Sequence, residues 1–185
     1  MYLSNFQLID ISGNTINVKD LVLVKSGNDN SFTFNLPSGT FSSFKYSFGL
    51  DKTTNNLDPS NYEASHPLST EQDMFWGMLK YRFIVIEGKI DSSIAKNKTP
   101  EQPFSMHLGT DTLYREITTN IVDNKLKRGS VVSININLNK IFVLDTETFN
   151  LNNFSNHSDA AQIPRAITIV DTLVSGIKTS IFSPN

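Results

Sequence analysis

The chain has 185 residues, which is enough for one domain with its own hydrophobic core. Its 16 basic and 18 acidic residues are spread along the sequence and give a formal net charge of −2, so no basic stripe favours a nucleic-acid partner. There is no cysteine, which excludes a disulfide scaffold, a thiol nucleophile and a cysteine-based zinc site.

Apolar and polar residues alternate with a period of two along most of the chain, which is typical of half-buried β-strands. The predicted strands are residues 2–11, 15–24, 32–36, 44–48, 79–89, 104–108, 113–122 and 132–138, with 141–144 as an extension after a kink. Residues 51–73 are polar and predict a long loop, and loops of this length are usually functional or mobile.

The C-terminal part shows a different period. Ile163, Ile167, Val170 and Val174 recur at helical spacing, and Pro164 is acceptable in a first turn, so the pattern predicts a helix near 164–175. Residues 1–185 are therefore predicted to form a single all-β domain, a mostly antiparallel β-sandwich with a short C-terminal helical segment.

The sequence has no run that approaches a transmembrane helix, and no basic-then-apolar leader precedes its first strand. Tyr2 already lies in strand-like sequence. We therefore expect the gene product to carry a signal and at least one further strand upstream of Met1.

Familiar catalytic motifs are missing from the sequence, including G-x-S-x-G, H-E-x-x-H, the P-loop and the dinucleotide fingerprint. His66, His107 and His157 are far apart in the sequence and lack metal-ligand spacing. For Glu87, at a predicted strand end, a structural salt bridge is favoured over a catalytic role. The residues give no positive case for an enzyme.

Two stretches carry the residues of greatest chemical interest. The first contains Trp76 and Met78 and leads into the apolar run from Tyr81 to Ile86, and the second contains His107. Each residue alone is adequately explained by core packing. Imidazole and thioether together, however, favour copper, especially Cu(I), over calcium or magnesium. If the two stretches meet, His107, Trp76 and Met78 are the candidate metal-site residues.

Calcium is a second candidate metal, at a different place. The loop from Asp51 to Asp58 has enough oxygen ligands for calcium, but their order does not fit an EF-hand. A solvated loop with Asx turns is the favoured interpretation of these residues.

Several short motifs, in order along residues 2–140, resemble those of one known family. The matching segments are Tyr2-Leu3-Ser4-Asn5-x-x-Leu8, Phe48-Gly49-Leu50-Asp51, Leu57-Asp58-Pro59, Met74-Phe75-Trp76, Tyr81-x-Phe83 through Glu87-Gly88, and His107-Leu108-Gly109. They are similar to the motifs of the MbnP family, which is named for the protein encoded beside methanobactin genes and is related to the MopE/CorA copper proteins.

This resemblance implies a secreted or lipid-anchored β-sandwich, periplasmic or on the cell surface, whose lipid anchor would lie outside this chain. In the best-known relatives, copper is bound by histidines and by a tryptophan that a di-haem peroxidase-type partner oxidises to kynurenine. By motif, Trp76 stands at that tryptophan and His107 at the histidine of the HLG element. Met78 stands where a copper-binding relative has a histidine, and Lys80 replaces the family's glycine before Tyr81.

Two functional hypotheses remain open from the sequence, with a hydrolase as a distant third. The first is a non-enzymatic copper-binding protein of the bacterial periplasm or cell surface. The second is a metal-free β-sandwich domain of an envelope lipoprotein that acts in adhesion or ligand binding. The distance between Trp76 and His107 in the folded chain is the most informative observation for choosing between them.

Overall fold

The computed structural model describes residues 1–28, 30–35, 37–77, 80–122, 126–144, 147–148 and 154–183. Most regular structure in these residues is β. The longer strands are β1 (Tyr2–Asp10), β2 (Thr15–Leu23), β3 (Phe41–Phe48), β6 (Ile84–Ile90), β7 (Gln102–Leu108), β8 (Arg115–Asn120), β9 (Val131–Asn135) and β13 (Lys178–Phe182). The two-residue strands are β4 (Phe75–Trp76), β5 (Lys80–Tyr81), β10 (Val143–Leu144), β11 (Glu147–Thr148) and β12 (Ser155–Asn156), and the helices are α1 (Lys52–Asn55) and α2 (Ile163–Ser175).

The strands form one larger antiparallel sheet and several smaller ones. The larger sheet has the order β2-β1-β3-β8, and a second sheet has the order β12-β7-β6. Strand β13 pairs with β9, and β4 with β5, both antiparallel. Only β12 against β7 is described as parallel. The fold is therefore all-β and mostly antiparallel, as the alternating pattern predicted.

The side chains of the larger sheet contribute to two apolar clusters. In the first, Phe6, Phe44 and Tyr46 of β1 and β3 face the β9–β13 pair, and the Tyr46 hydroxyl lies 2.7 Å from Thr179 Oγ1 of β13. In the second, strands β6 and β7 pack with helix α2. Sheet therefore packs on sheet at one end of the domain, and sheet packs on helix at the other.

Helix α2 confirms the predicted C-terminal helix, although of the four apolar positions that indicated it only Val170 is fully buried. Pro164 lies in its first turn, where a missing N–H costs no intrahelical hydrogen bond. Its buried side chains are Ala166, Ile169, Val170 and Leu173, which recur at helical spacing. Across the described residues, no helix is both long enough and apolar enough to span a membrane.

Some predicted strands are shorter than the pattern indicated, and one is wrong. Residues 30–35 have no regular secondary structure, although Phe32 and Phe34 alternate as in a strand; Leu36 lies outside the described residues. Phe32 instead packs edge-on against Phe6, with 5.0 Å between ring centroids. The alternation of apolar and polar residues indicates which side chains are partly buried. An extended segment that packs on the core without pairing with another strand gives the same alternation.

The loop from 51 to 73 is more structured than its polarity indicated. It contains α1 and two short 3₁₀ turns, Pro59–Asn61 and Thr70–Gln72. Asp51 caps α1 by accepting hydrogen bonds from the N–H groups of Thr53 and Thr54. Asp58 caps the next turn by accepting from Ser60 N–H. These are the local side-chain-to-backbone bonds that the favoured interpretation of this loop predicted.

Several of the short motifs meet in space and support the fold. Ser4 Oγ donates to the carbonyl of Gly49 at 2.7 Å, so the opening-strand motif contacts the motif from Phe48 to Asp51. Gly109, at the end of β7, lies directly against the backbone from Tyr81 to Phe83. The hydroxyl of Tyr81 in turn donates to the carbonyl of Leu68 and fixes the long loop to the core.

Candidate functional site

Trp76 lies on the short β4–β5 hairpin, at the edge of the core. It pairs with Lys80, and its neighbour Phe75 pairs with the buried Tyr81. Lys80 has φ of +60°, a left-handed conformation that glycine adopts without steric cost. This explains why glycine suits the position before Tyr81, and it means that Lys80 itself carries some backbone strain. Trp76 is 38 % exposed.

His107 lies on β7, and backbone pairing places His157 beside it. Strand β7 is antiparallel to β6, with His107 opposite Val85. Strand β12 runs parallel to β7 on its other side and pairs Ser155 with Ser105 and Asn156 with Met106. Continuing this register by one residue brings His157 level with His107.

The three rings of Trp76, His107 and His157 form one cluster. The ring centroids of Trp76 and His107 are 5.8 Å apart, those of Trp76 and His157 5.0 Å, and those of the two histidines 4.8 Å. All three pairs meet edge to face, at interplanar angles of 78°, 69° and 76°. The two imidazoles therefore share a partly buried position beside the indole.

The hydrogen bonds of the two histidines occupy the same ring nitrogen in each. His107 Nε2 lies 2.5 Å from Glu87 Oε1, and His157 Nε2 lies 2.6 Å from Ser155 Oγ. A carboxylate only accepts, so Nε2 of His107 carries the proton and the neutral ring keeps its lone pair on Nδ1. Both Nδ1 atoms are buried and have no hydrogen-bond partner among the described residues.

Buried ring nitrogens without partners are uncommon, because a polar atom removed from water without a hydrogen bond costs free energy. Here two such atoms occur in adjacent imidazoles. When His157 is in the tautomer that donates from Nε2–H to Ser155 Oγ, its Nδ1 also carries a lone pair. A metal ion bound by both lone pairs would then satisfy the two atoms, since neutral imidazole is a common metal ligand. Glu87 would then be the outer partner that fixes the orientation of His107.

The surroundings of His157 favour the neutral form of its imidazole. Burial, followed by the proximity of His107, lowers the pKa of His157 below 6.5, and Asp159 opposes this shift. Arg82 also lowers that pKa; its guanidinium carbon lies 5.9 Å from the centre of the Trp76 ring. Arg82 is itself buried and bonds to Asp73 through both the carbonyl oxygen and the carboxylate. A neutral imidazole is the form that binds a metal.

The structure thus brings together two of the three residues that the sequence singled out, Trp76 and His107. Met78, the third, lies outside the described residues. Sequence reasoning did not pair His157 with His107, because spacing along a chain does not reveal a parallel strand contact. Strand β12 consists of two polar residues, Ser155-Asn156, which show no alternating pattern, so the local sequence carries no signal of this contact.

No group of three or more His, Cys, Asp or Glu side chains is positioned to hold a metal ion in the described residues. Two histidines with an outer carboxylate are therefore the donor set that the described part of the site offers. Two imidazoles suit an ion of low coordination number better than they suit calcium, which takes several oxygen ligands. The calcium prediction for the loop from Asp51 to Asp58 remains untested.

The sequence model of the MbnP family matches residues 1–162. The chain belongs to the MbnP family. The match spans β1 to β12 and includes Trp76, His107 and His157, whereas α2 and β13 lie beyond it. No curated protein and no solved structure matches the chain. Family membership suggests a methanobactin-associated, copper-related protein.

Proposed function

We propose that this MbnP-family protein is a non-enzymatic copper-binding protein of the bacterial periplasm or cell surface. The observation that carries the proposal is the pair of buried, unpartnered Nδ1 atoms on His107 and His157 beside Trp76. The residues fit copper because imidazole is a good ligand for it, and the Trp76 indole lies against both imidazole rings. Copper would be the cargo or resident ion that these side chains hold.

Cu(I) is the form favoured by two imidazoles together with a thioether, because soft thioether ligands select Cu(I) whereas imidazole alone suits several divalent metals as well. Met78 follows Trp76 by two residues and is a candidate third ligand through its thioether. If a di-haem peroxidase-type partner oxidises Trp76 to kynurenine, the new carbonyl and amine are further donors, whereas the indole offers only a donor N–H.

The test is a competition titration of Cu(I) against a chromogenic chelator under anaerobic conditions. The wild type should retain Cu(I), and His107→Ala and His157→Ala should each weaken binding by at least about tenfold, since loss of an outer-shell partner alone costs about 10–100-fold. His66→Ala is the matched control. His66 stacks on Tyr62 at 4.1 Å and accepts a hydrogen bond from Leu68 N–H through Nδ1.

Two substitutions of Glu87 in the same titration distinguish loss of a metal-site contact from general damage to the fold. Glu87→Ala should weaken Cu(I) binding by about tenfold because His107 loses the acceptor that fixes its tautomer. Glu87→Gln should weaken it less, since the amide oxygen still accepts from Nε2–H. Absence of Cu(I) binding in the wild type, or equal binding in the wild type and both histidine variants, would overturn the proposal.

A further inference from the structure

A second feature of the molecule is a large apolar cavity at the sheet-on-sheet end, outside the histidine cluster. Its volume is about 870 Å³, within the range of about 300–1,000 Å³ usual for small-molecule sites. Strands β1 and β2 form one wall, β9 forms the opposite wall, and residues 30–35 run along its side.

The walls of the cavity are mainly hydrocarbon and aromatic, and polar side chains such as Asn30, Ser31, Thr33 and Asn35 also line it. Phe6 and Phe32 meet edge to face at 5.0 Å, and Phe34 follows Phe32 at 6.3 Å, so three rings line one side. Val132 and Ile134 of β9 line the other side and are only half-buried. An aliphatic ligand in the cavity would remove the remaining exposed apolar surface of these side chains from water, which is favourable.

Charge is confined to one part of the lining. Lys127 and Arg128 are the charged residues among those described around the cavity, and both are exposed. Neither forms a salt bridge with a described carboxylate. The turn that carries them is anchored, because Ser130 Oγ accepts from Lys127 N–H at 2.9 Å and lies 3.0 Å from Ser183 Oγ. An apolar cavity with two cations at a fixed turn is complementary to an amphipathic anion.

We propose that this cavity binds a long-chain fatty carboxylate, with its tail between β2 and β9 and its head group at Lys127 and Arg128. The guanidinium of Arg128 can hold a carboxylate through two parallel N–H donors, and the ammonium of Lys127 adds a point charge. The site is separate from the histidine cluster, so binding of the carboxylate does not require copper.

The experiment is a fluorescence titration with cis-parinaric acid, whose emission rises on transfer into an apolar site, followed by displacement with palmitate. The wild type should bind the probe and release it to palmitate, and His157→Ala should do the same. The double variant Lys127→Gln/Arg128→Gln should bind the acid at least about fivefold more weakly, while its affinity for the methyl ester of the probe should be unchanged. Lys52→Gln/Lys98→Gln, which removes the same charge from exposed positions elsewhere, is the control.

Val132→Trp tests the tail site, because the larger side chain fills the space beside β9. It should abolish binding of both the acid and the ester while the circular dichroism spectrum stays that of the folded wild type. Failure of the wild type to bind the probe overturns the proposal. So does equal binding of acid and ester by the wild type, or equal weakening in the two double variants. If Val132→Trp does not fold, the surface charge variants still decide the outcome.

Discussion

Gly109 lies where the end of strand β7 touches the segment from Tyr81 to Phe83. A Cβ at this position would stand 2.2 Å from the Tyr81 carbonyl oxygen and 2.7 Å from the Arg82 Cα. Both are backbone atoms of a buried segment, so neither can move without shifting the hairpin that carries Trp76. The glycine of the HLG motif is therefore required for close backbone approach, independently of any metal.

Gly109→Ala should lower the free energy of unfolding by about 1–3 kcal/mol, the usual cost of forcing extra atoms into a packed core. Urea denaturation followed by circular dichroism measures this. Gly77→Ala is the control, since a Cβ there meets no atom within 4 Å. An equal effect of the two substitutions would contradict the close-approach explanation.

At the scale of elements, helix α2 covers the second apolar cluster although it lies beyond the MbnP match. Leu173 is 1 % exposed within that cluster, whereas Thr168 on the same helix is exposed. Leu173→Ala should destabilise the protein by about 2–5 kcal/mol through lost burial and a residual cavity. Thr168→Ala should be close to neutral. Thermal unfolding compares them, and a neutral Leu173→Ala would show that α2 does not belong to the core.

The same elements show what the sequence could predict. Local periodicity was sufficient for β2 and α2, which turn one face towards the core, and also for β1 and β3, although these two central strands bury residues on both faces. It failed for residues 32–36, since alternation reports burial and not hydrogen bonding. It could not place His157 beside His107, because the parallel pairing of β12 with β7 joins residues 50 apart in sequence, such as Ser105 and Ser155.

For the whole molecule, buried tyrosines make stability depend on alkaline pH. Burial raises the pKa of Tyr81 to about 12, and burial also raises the pKa of Tyr2 above its ordinary value of 10.0. At a pH between 10.0, the ordinary pKa of tyrosine, and about 12, these phenols ionise in the unfolded chain but stay protonated in the folded chain. The free energy of unfolding is therefore expected to fall as pH rises from about 10 towards 12.

Urea unfolding at a series of pH values from 8 to about 12 measures this dependence. Tyr81→Phe should show a smaller loss of stability across the same interval, because the phenol that ionises only in the unfolded chain is gone. It should also be less stable overall, since the hydrogen bond to the Leu68 carbonyl is lost. An unchanged slope in Tyr81→Phe would contradict the assignment to this residue.

The parallel contact between β12 and β7 also sets the order in which the histidine cluster can form during folding. Ser105 and Ser155 are 50 residues apart in the sequence, and closing the chain between them costs entropy before any contact compensates it. Pairings between such distant segments generally form slowly. His107 and His157 therefore become neighbours only once β7 has paired and β12 has docked on its edge. An ion held by both imidazoles would join β12 to the edge of β7, and would therefore stabilise the docked strand over states in which β12 has detached. In the proposed function, copper loading is thus expected to protect this edge of the sheet from local unfolding.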